Sequence, residues 1–318
     1  MVRFFPNANY KFIELRKYSY IATVIAFVVG IAGALYFQAS KGSWLNYGVD
    51  FAGGTLLQVR FAQPTDASTL RNVIQPRVPG TEITNFGDQN EFLVRTPRFT
   101  TGTRSASDEA VSALRERFGS NFQVRRTEAV SAKVSRELTR NAIIAVLLSF
   151  AATLIYLAFR FEWRFGLAAV IATMHDTLLT LLIIAVFRFE MNLTTVAAVL
   201  TIVGYSLNDT IVIFDRIREN LKKTARRHID LRELMNRSIN ETLPRTTLTA
   251  STTLATLLSL AVFGGAIVRE FAVILIIGIV LGTYSSIFIA SPVLYEIEKR
   301  WGGKSGHKPV ERQTRVAL

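Results

Sequence analysis

Six stretches of this chain stay apolar long enough to cross a bilayer. Runs of roughly 18 or more residues, which at about 1.5 Å per residue cover a hydrocarbon layer of about 30 Å, occur at Tyr20 to Phe37, Ala142 to Phe159, Leu167 to Phe187, Leu193 to Phe214, Thr246 to Gly265 and Phe271 to Tyr295. The first, second, fifth and sixth carry no charge, whereas the third holds His175 and Asp176 and the fourth holds Asp209. With their flanks they predict membrane helices over 20–38, 138–160, 165–187, 193–214, 245–265 and 270–295. Short connections at Phe189 to Asn192 and Gly264 to Glu270 make spans three and four, and spans five and six, antiparallel hairpins. The connection 215–244 is longer, basic and helical in pattern. Leu221, Ile229, Leu231, Leu234, Met235 and Ile239 give it the apolar face of an amphipathic segment on the membrane surface, the alternative being a solvated linker.

Between spans one and two, residues 39–137 alternate in polarity like a soluble domain. Thr55 to Phe61 reads as a strand, Asp66 to Gln75 as a helix and Glu82 to Phe86 as a strand. A turn at Gly87 to Asn90 leads to a third strand, Glu91 to Thr96. A second helix runs to Phe118 with Ser105 or Ser107 as N-cap and Gly119 as its stop, and Phe122 to Arg126 is a fourth strand. The order β-α-β-β-α-β predicts an α+β ferredoxin-like domain. The fold class expected is thus a polytopic α-helical membrane protein with six spans and one such extracytoplasmic domain after the first.

Composition agrees: 50% of the 318 residues are hydrophobic, high for a water-soluble chain. The net charge of +13 does not mark a nucleic-acid surface, because the basic residues lie beside the spans. Arg3, Lys11, Arg16 and Lys17 precede span one, eight Arg and Lys fill 215–244, and Lys299 to Arg315 supply six more, while the short opposite loops hold only Arg188 and Arg269. That bias places 1–19, 215–244 and 296–318 in the cytoplasm, against anionic lipid headgroups. The absence of cysteine excludes disulfides and thiolate chemistry. Ala39 and Ser40 follow the first apolar run, but it is longer than a signal-peptide core and lacks an A-x-A site, so an uncleaved anchor is expected.

A charge at membrane depth costs several kcal/mol, so an intramembrane acid is a functional candidate. Asp209 sits seven residues inward from Arg216, roughly 10 Å below the interface, on a stripe with Thr201, Tyr205 and Asn208. Arg245 opens span five, followed by Thr249, Thr252, Thr253 and Thr256. Two such stripes facing one another would pair Asp209 with Arg245, an arrangement that suits a proton relay. The alternative is a neutral, structural Asp209 with Arg245 snorkelling to the interface. His175 and Asp176 either join that relay or only hydrogen-bond neighbouring spans. Gly278, Gly282, Ser286 and Ala290 form a small-residue packing ridge on span six. Gly303-Lys304-Ser305 imitates a phosphate loop, but the glycine required five positions earlier is Glu298. With no Ser/His/Asp or HExxH arrangement and only three histidines, neither an enzyme nor a cofactor or metal site is expected.

Gly48-Val49-Asp50-Phe51-Ala52-Gly53-Gly54, with Gly204 to Thr210 running into Phe214 to Asn220, Leu243-Pro244-Arg245-Thr246 and Phe263-Gly264-Gly265, closely resembles the SecF branch of the SecD/SecF family. The likeness covers essentially the whole chain. It implies one half of a twelve-span assembly of the resistance-nodulation-division superfamily, made with SecD in the bacterial inner membrane. It further implies association with the SecYEG translocon, use of the proton motive force to draw a preprotein outward, and YajC as a further candidate partner. By motif, the family's intramembrane acid and arginine fall on Asp209 and Arg245. A lipid or drug exporter of the same superfamily and a non-conducting translocon scaffold are the competing readings, and proton versus sodium coupling stays open.

Overall fold

A computed structural model describes residues 8–87, 90–97, 100–101, 104–224 and 230–301. Asp88 and Gln89 of the expected turn, Ile229 and Gly303 to Ser305 lie outside the described residues. Helix α1 (Arg16–Lys41) follows a 3₁₀ turn (Phe12–Leu15) and stops at Gly42, whose φ of 74° is the left-handed conformation that ends helices. Strand β1 (Asn46–Tyr47) and the one-turn helix α2 (Val49–Ala52) lead into the soluble domain. That domain comprises β2 (Gly54–Phe61), α3 (Ala67–Ile74), β3 (Glu82–Asn85), β4 (Glu91–Thr96), β5 (Thr100–Thr101), β6 (Arg104–Ser105), α4 (Ala106–Phe118) and β7 (Phe122–Val130).

Four of these strands form one antiparallel sheet in the order β3-β4-β2-β7. Alternate residues of β2 and β4, namely Leu57, Val59, Phe61, Phe92 and Val94, pack against Leu70 and Ile74 of α3 and Ala110 and Leu114 of α4. Both helices therefore cover one sheet face. Each begins at a side-chain cap. Asp66 accepts the Thr69 N–H at 2.8 Å, and hydrogen bonds led by the Ser68 hydroxyl and Thr69 hold its carboxyl down to about 2. Ser105, not Ser107, caps α4, since its hydroxyl accepts the Asp108 N–H at 3.2 Å while Asp108 accepts the Ser105 N–H. Strand β7 runs four residues past the expected Arg126, because Gly54 to Leu57 of β2 supply pairing partners as far as Val130.

The rest of the chain is α5 (Ala132–Arg160), α6 (Trp163–Phe187), the short β8 (Glu190–Met191), α7 (Leu193–Thr224), α8 (Leu231–Phe263), α9 (Ala266–Ser285), a π-helical turn (Ser286–Ala290) and α10 (Ser291–Trp301). Among the described residues six helical stretches are long and apolar enough to cross a membrane, the last comprising α9, the π turn and α10. Half or more of the apolar window is buried in α6, α7 and the last (50%, 56% and 56%), against 11%, 6% and 17% in α1, α5 and α8. The first three form the centre of the bundle and the others flank it. Helix α1 approaches α6 closely through two glycines: a Cβ on Gly30 would lie 2.8 Å from Leu182 Cβ, and one on Gly33 2.7 Å from Val186 Cγ2.

Residues 215–224 and 231–244 are helical, as their pattern predicts, but their apolar side chains do not lie on the membrane surface. Helix α7 continues to Thr224, and α8 begins at Leu231 and passes through Pro244 without interruption. The expected lipid-facing residues Leu234, Met235 and Ile239 are buried with Ile13, Phe214 and Leu294. The N-terminal segment covers them instead. Asn240 Oδ1 accepts the Tyr10 N–H at 3.0 Å, and Asn236 Oδ1 accepts the Ile13 N–H at 2.9 Å. Arg16 pairs with Glu296 at 2.9 Å, so the two ends of the described chain meet at the same end of the bundle.

Candidate functional site

Asp209 lies on the inward face of α7 with Ile202, Ser206, Thr210 and Ile213, and is 2% exposed. The Thr283 hydroxyl on α9 is the hydrogen-bonding group that faces this carboxyl, but no hydrogen bond of normal geometry forms from Thr283 Oγ1 to Oδ2. Arg245 is the charged group that acts on this carboxyl, but no ion pair forms between them and the arginine is exposed. The expected stripe also splits: Thr201 and Asn208 are exposed on the outer side of α7, whereas Asp209 turns toward α9. Consecutive helix residues are about 100° apart, so Asn208 and Asp209 cannot share a face when the helix is this closely surrounded. Tyr205 links α7 to α8, its hydroxyl lying 3.3 Å from Thr253 Oγ1. Thr249 and Thr253 return their own hydroxyls to the backbone of α8, to Arg245 O at 3.1 Å and Thr249 O at 2.9 Å.

His175 and Asp176 form a second buried cluster. Asp176 is 0% exposed, and its Oδ1 lies 2.8 Å from His175 Nδ1. Its Oδ2 accepts the hydroxyls of Ser206 on α7 and, at 2.6 Å, of Ser285 on α9. With Nδ1 carrying the proton toward Asp176, His175 Nε2 accepts from Thr23 of α1, 3.3 Å away. The carboxylate thus joins four helices. A hydroxyl pair, Thr210 Oγ1 and Ser286 Oγ at 3.0 Å, lies beyond it toward the π turn. Single π turns inside α-helices recur at functional sites. Sequence reasoning took Ser286 as a packing residue and missed Ser206, Ser285 and Thr23. Of these only Ser206, three residues before Asp209 on the same helix, had a signal in the sequence.

The glycine-rich segment forms the junction between soluble domain and bundle. Gly53 and Gly54 have φ of 68° and 108°, and a Cβ on Gly54 would sit 2.3 Å from the Thr96 carbonyl oxygen. A Cβ on Gly48 would lie 2.4 Å from Glu190 Oε1. Phe51 O accepts the Ser135 hydroxyl at 2.6 Å, and Asp50 Oδ2 accepts the Leu193 N–H at 2.9 Å. Arg95 pairs with Glu190 at 3.1 Å. Burial raises the Glu190 carboxyl above its usual value against the opposing pull of that arginine. Between the uncovered sheet face and the bundle lies a cleft of about 870 Å³ lined by Leu56, Gln58, Arg126, Arg188 and Glu270 among others.

Residues 110–300 match the family described as "Protein export membrane protein SecD/SecF, C-terminal", and residues 42–65 match "SecD/SecF GG Motif". The chain belongs to the SecD/SecF family. It is 43% identical over 309 residues to the protein translocase subunit SecF of Gemmatimonas aurantiaca, covering 95% of this chain and 91% of that one. It is 40% identical over 296 residues to the SecF of Rickettsia bellii, covering 92% and 95%. Among solved structures it is similar to SecDF of Thermus thermophilus, described as a translocon-associated membrane protein, with a TM-score of 0.80 and 36% identity. That match covers 92% of this chain but only 39% of the longer Thermus chain. SecDF in a super-membrane-facing form gives a TM-score of 0.66 at 34% identity, covering 96% of this chain and 40% of that one. The SecD/SecF-family chain is thus a polytopic helical membrane protein. Asp209 and Arg245 fall within one matched segment and the glycine-rich junction within the other.

Proposed function

We propose that this chain is a SecF-type translocase subunit of a bacterial inner membrane, working with a SecD-type partner beside the SecYEG channel and coupling proton entry to late preprotein export. Asp209 is the proton-accepting group and Arg245 its electrostatic counterpart. Both ends of the chain are cytoplasmic, and the domain between the first two spans is extracytoplasmic and ferredoxin-like. The strand order β3-β4-β2-β7 with both helices on one face supports that fold, since numbering the four strands along the chain gives 4-1-3-2 from one edge. The observation that carries the coupling is a fully buried carboxyl with one oxygen left unpartnered. An unpaired acid in a low-dielectric setting is expensive as an anion and open to a proton. One proton crossing about 100 mV supplies about 2.3 kcal/mol, enough to bias a two-state rearrangement.

The test compares preprotein export into membrane vesicles by wild type and Asp209→Asn, each with the proton gradient intact and collapsed. The gradient should accelerate wild type and leave Asp209→Asn unchanged, at the rate of collapsed wild type. Equal gradient dependence in the two would refute the role given to Asp209.

A further inference from the structure

The proton-coupled reading does not use the glycine-rich segment, yet the structure ties that segment to the helix that carries Asp209. The first N–H groups of a helix have no partner within it, and its N-terminus favours a negative group. At the start of α7, Asn192 accepts the Thr195 N–H at 2.9 Å through Oδ1 and the Val196 N–H at 3.1 Å through its carbonyl. The Leu193 N–H goes to Asp50, a residue of the soluble-domain side of the junction. The same turn is bound in parallel. Asn46 pairs with Glu190 and Tyr47 with Met191, and Met191 O accepts the Gly48 N–H at 2.9 Å. Asn46 Nδ2 donates to Arg188 O and Arg188 Nη1 to Ser43 O, each at 3.1 Å. Arg95 of β4 bridges Glu190 and, at 2.7 Å, Tyr47 O. The Glu190 carboxylate occupies the place a Cβ on Gly48 would take, so a larger residue there would have to displace that side chain from Arg95.

We propose that Asp50 is a positioning residue that caps α7 in trans, so that the soluble domain and the helix bearing Asp209 move as one rigid body. Displacement of α7 during the cycle then reaches the soluble domain directly at Asp50, within the segment that joins α1 to β2. The geometry of the joint stands by itself. Its purpose rests on the coupling reading.

The absence of native cysteine makes the test direct. Spin labels at exposed Ser120→Cys on the soluble domain and Lys222→Cys on the far end of α7 report their separation in the full chain with its partner subunit in lipid nanodiscs. One narrow distance distribution is expected, retained in Asp50→Asn, whose amide oxygen still accepts the Leu193 N–H, and broadened in Asp50→Ala. The joint should open roughly fivefold more often in Asp50→Ala, the factor that about 1 kcal/mol of lost capping represents, and export should fall below that of Asp50→Asn. A second variant locks the joint: Tyr47→Cys with Met191→Cys joins bridge partners within the roughly 4.4–6.8 Å Cα separation a disulfide spans. Export should be equal with that bond formed or reduced. An unbroadened Asp50→Ala distribution, or export that stops on oxidation and returns on reduction, would overturn the rigid joint. Because the distance measurement needs no gradient, its result stands apart from the Asp209→Asn outcome.

Discussion

Asp176 and Asp209 are both buried acids on central helices, and they are held in opposite ways. Both Asp176 oxygens are occupied, by His175, Ser206 and Ser285, whereas Asp209 keeps one oxygen free. The satisfied acid is suited to holding helices together and the unsatisfied one to changing state. Asp176→Ala would strand the imidazole N–H and the Ser206 hydroxyl, while Ser285 keeps Gly282 O as an acceptor at 3.2 Å. Interhelical hydrogen bonds in membranes are worth about 0.6 kcal/mol each, and leaving a buried donor without its acceptor costs about 1–3 kcal/mol. The variant should therefore lose about 2 to 5 kcal/mol, read as a lower melting temperature in detergent. Asp176→Asn, which keeps an acceptor, should lose less. Melting of the alanine variant at the wild-type temperature would dismiss this role. Both acids were legible in the sequence as interruptions of apolar runs. Their partners were not, because serine in a membrane helix reads as a small packing residue until its neighbour across the interface is known. The expected Asp209–Arg245 contact failed for a related reason: spacing gives the depth of each residue, while the facing side is set by how the helices rotate against one another.

At the scale of elements, α9 crosses α7 at two glycines that leave no room for a side chain. A Cβ on Gly278 would lie 2.1 Å from Ile202 Cδ1, and one on Gly282 3.0 Å from Ser206 Cβ and 3.2 Å from Ser206 Cα. The predicted small-residue ridge is thus the seat of the helix carrying both Asp209 and Ser206. Overfilling it costs about 1–3 kcal/mol. Gly278→Ala should destabilise by about that amount and regain part of it when Ile202→Ala is added, since the obstruction is the end of a movable side chain. Gly282→Ala should not be rescued by Ser206→Ala, because Cα and Cβ of residue 206 remain in place. Melting of the two double variants against their parents checks the contrast, and equal rescue in both would contradict it. The ridge was readable from four-residue spacing alone. The helical pattern of 215–244 was readable too, but not its burial, because its basic residues argue for the membrane surface unless the N-terminal segment that covers Leu234, Met235 and Ile239 is also known.

For the whole molecule, the six-span bundle is not equally lipid-like on all sides. Exposed side chains along α5 are apolar at Ile143, Leu147, Leu148 and Ile155, as hydrocarbon requires. The α7 and α8 side instead exposes Thr201, Asn208, Ser251, Thr252, Thr256 and Ser259, together with Arg245 nearer the termini. An asparagine and a run of hydroxyls at membrane depth are poorly matched to lipid tails and well matched to another helix. This face is where the proposed SecD-type partner would sit, which would bring a second protein surface to Arg245 and the outer side of the Asp209 helix. The absence of native cysteine again gives the measurement. Single substitutions Thr252→Cys and Thr256→Cys, treated with a lipid-soluble maleimide, should label in the chain alone and be protected when the partner subunit is co-expressed. Leu147→Cys on α5 should label equally with and without the partner. Protection of residue 147 while 252 and 256 stay reactive would move the partner to the opposite side and leave Asn208 and Arg245 facing lipid, an arrangement whose desolvation cost nothing else in the bundle would offset.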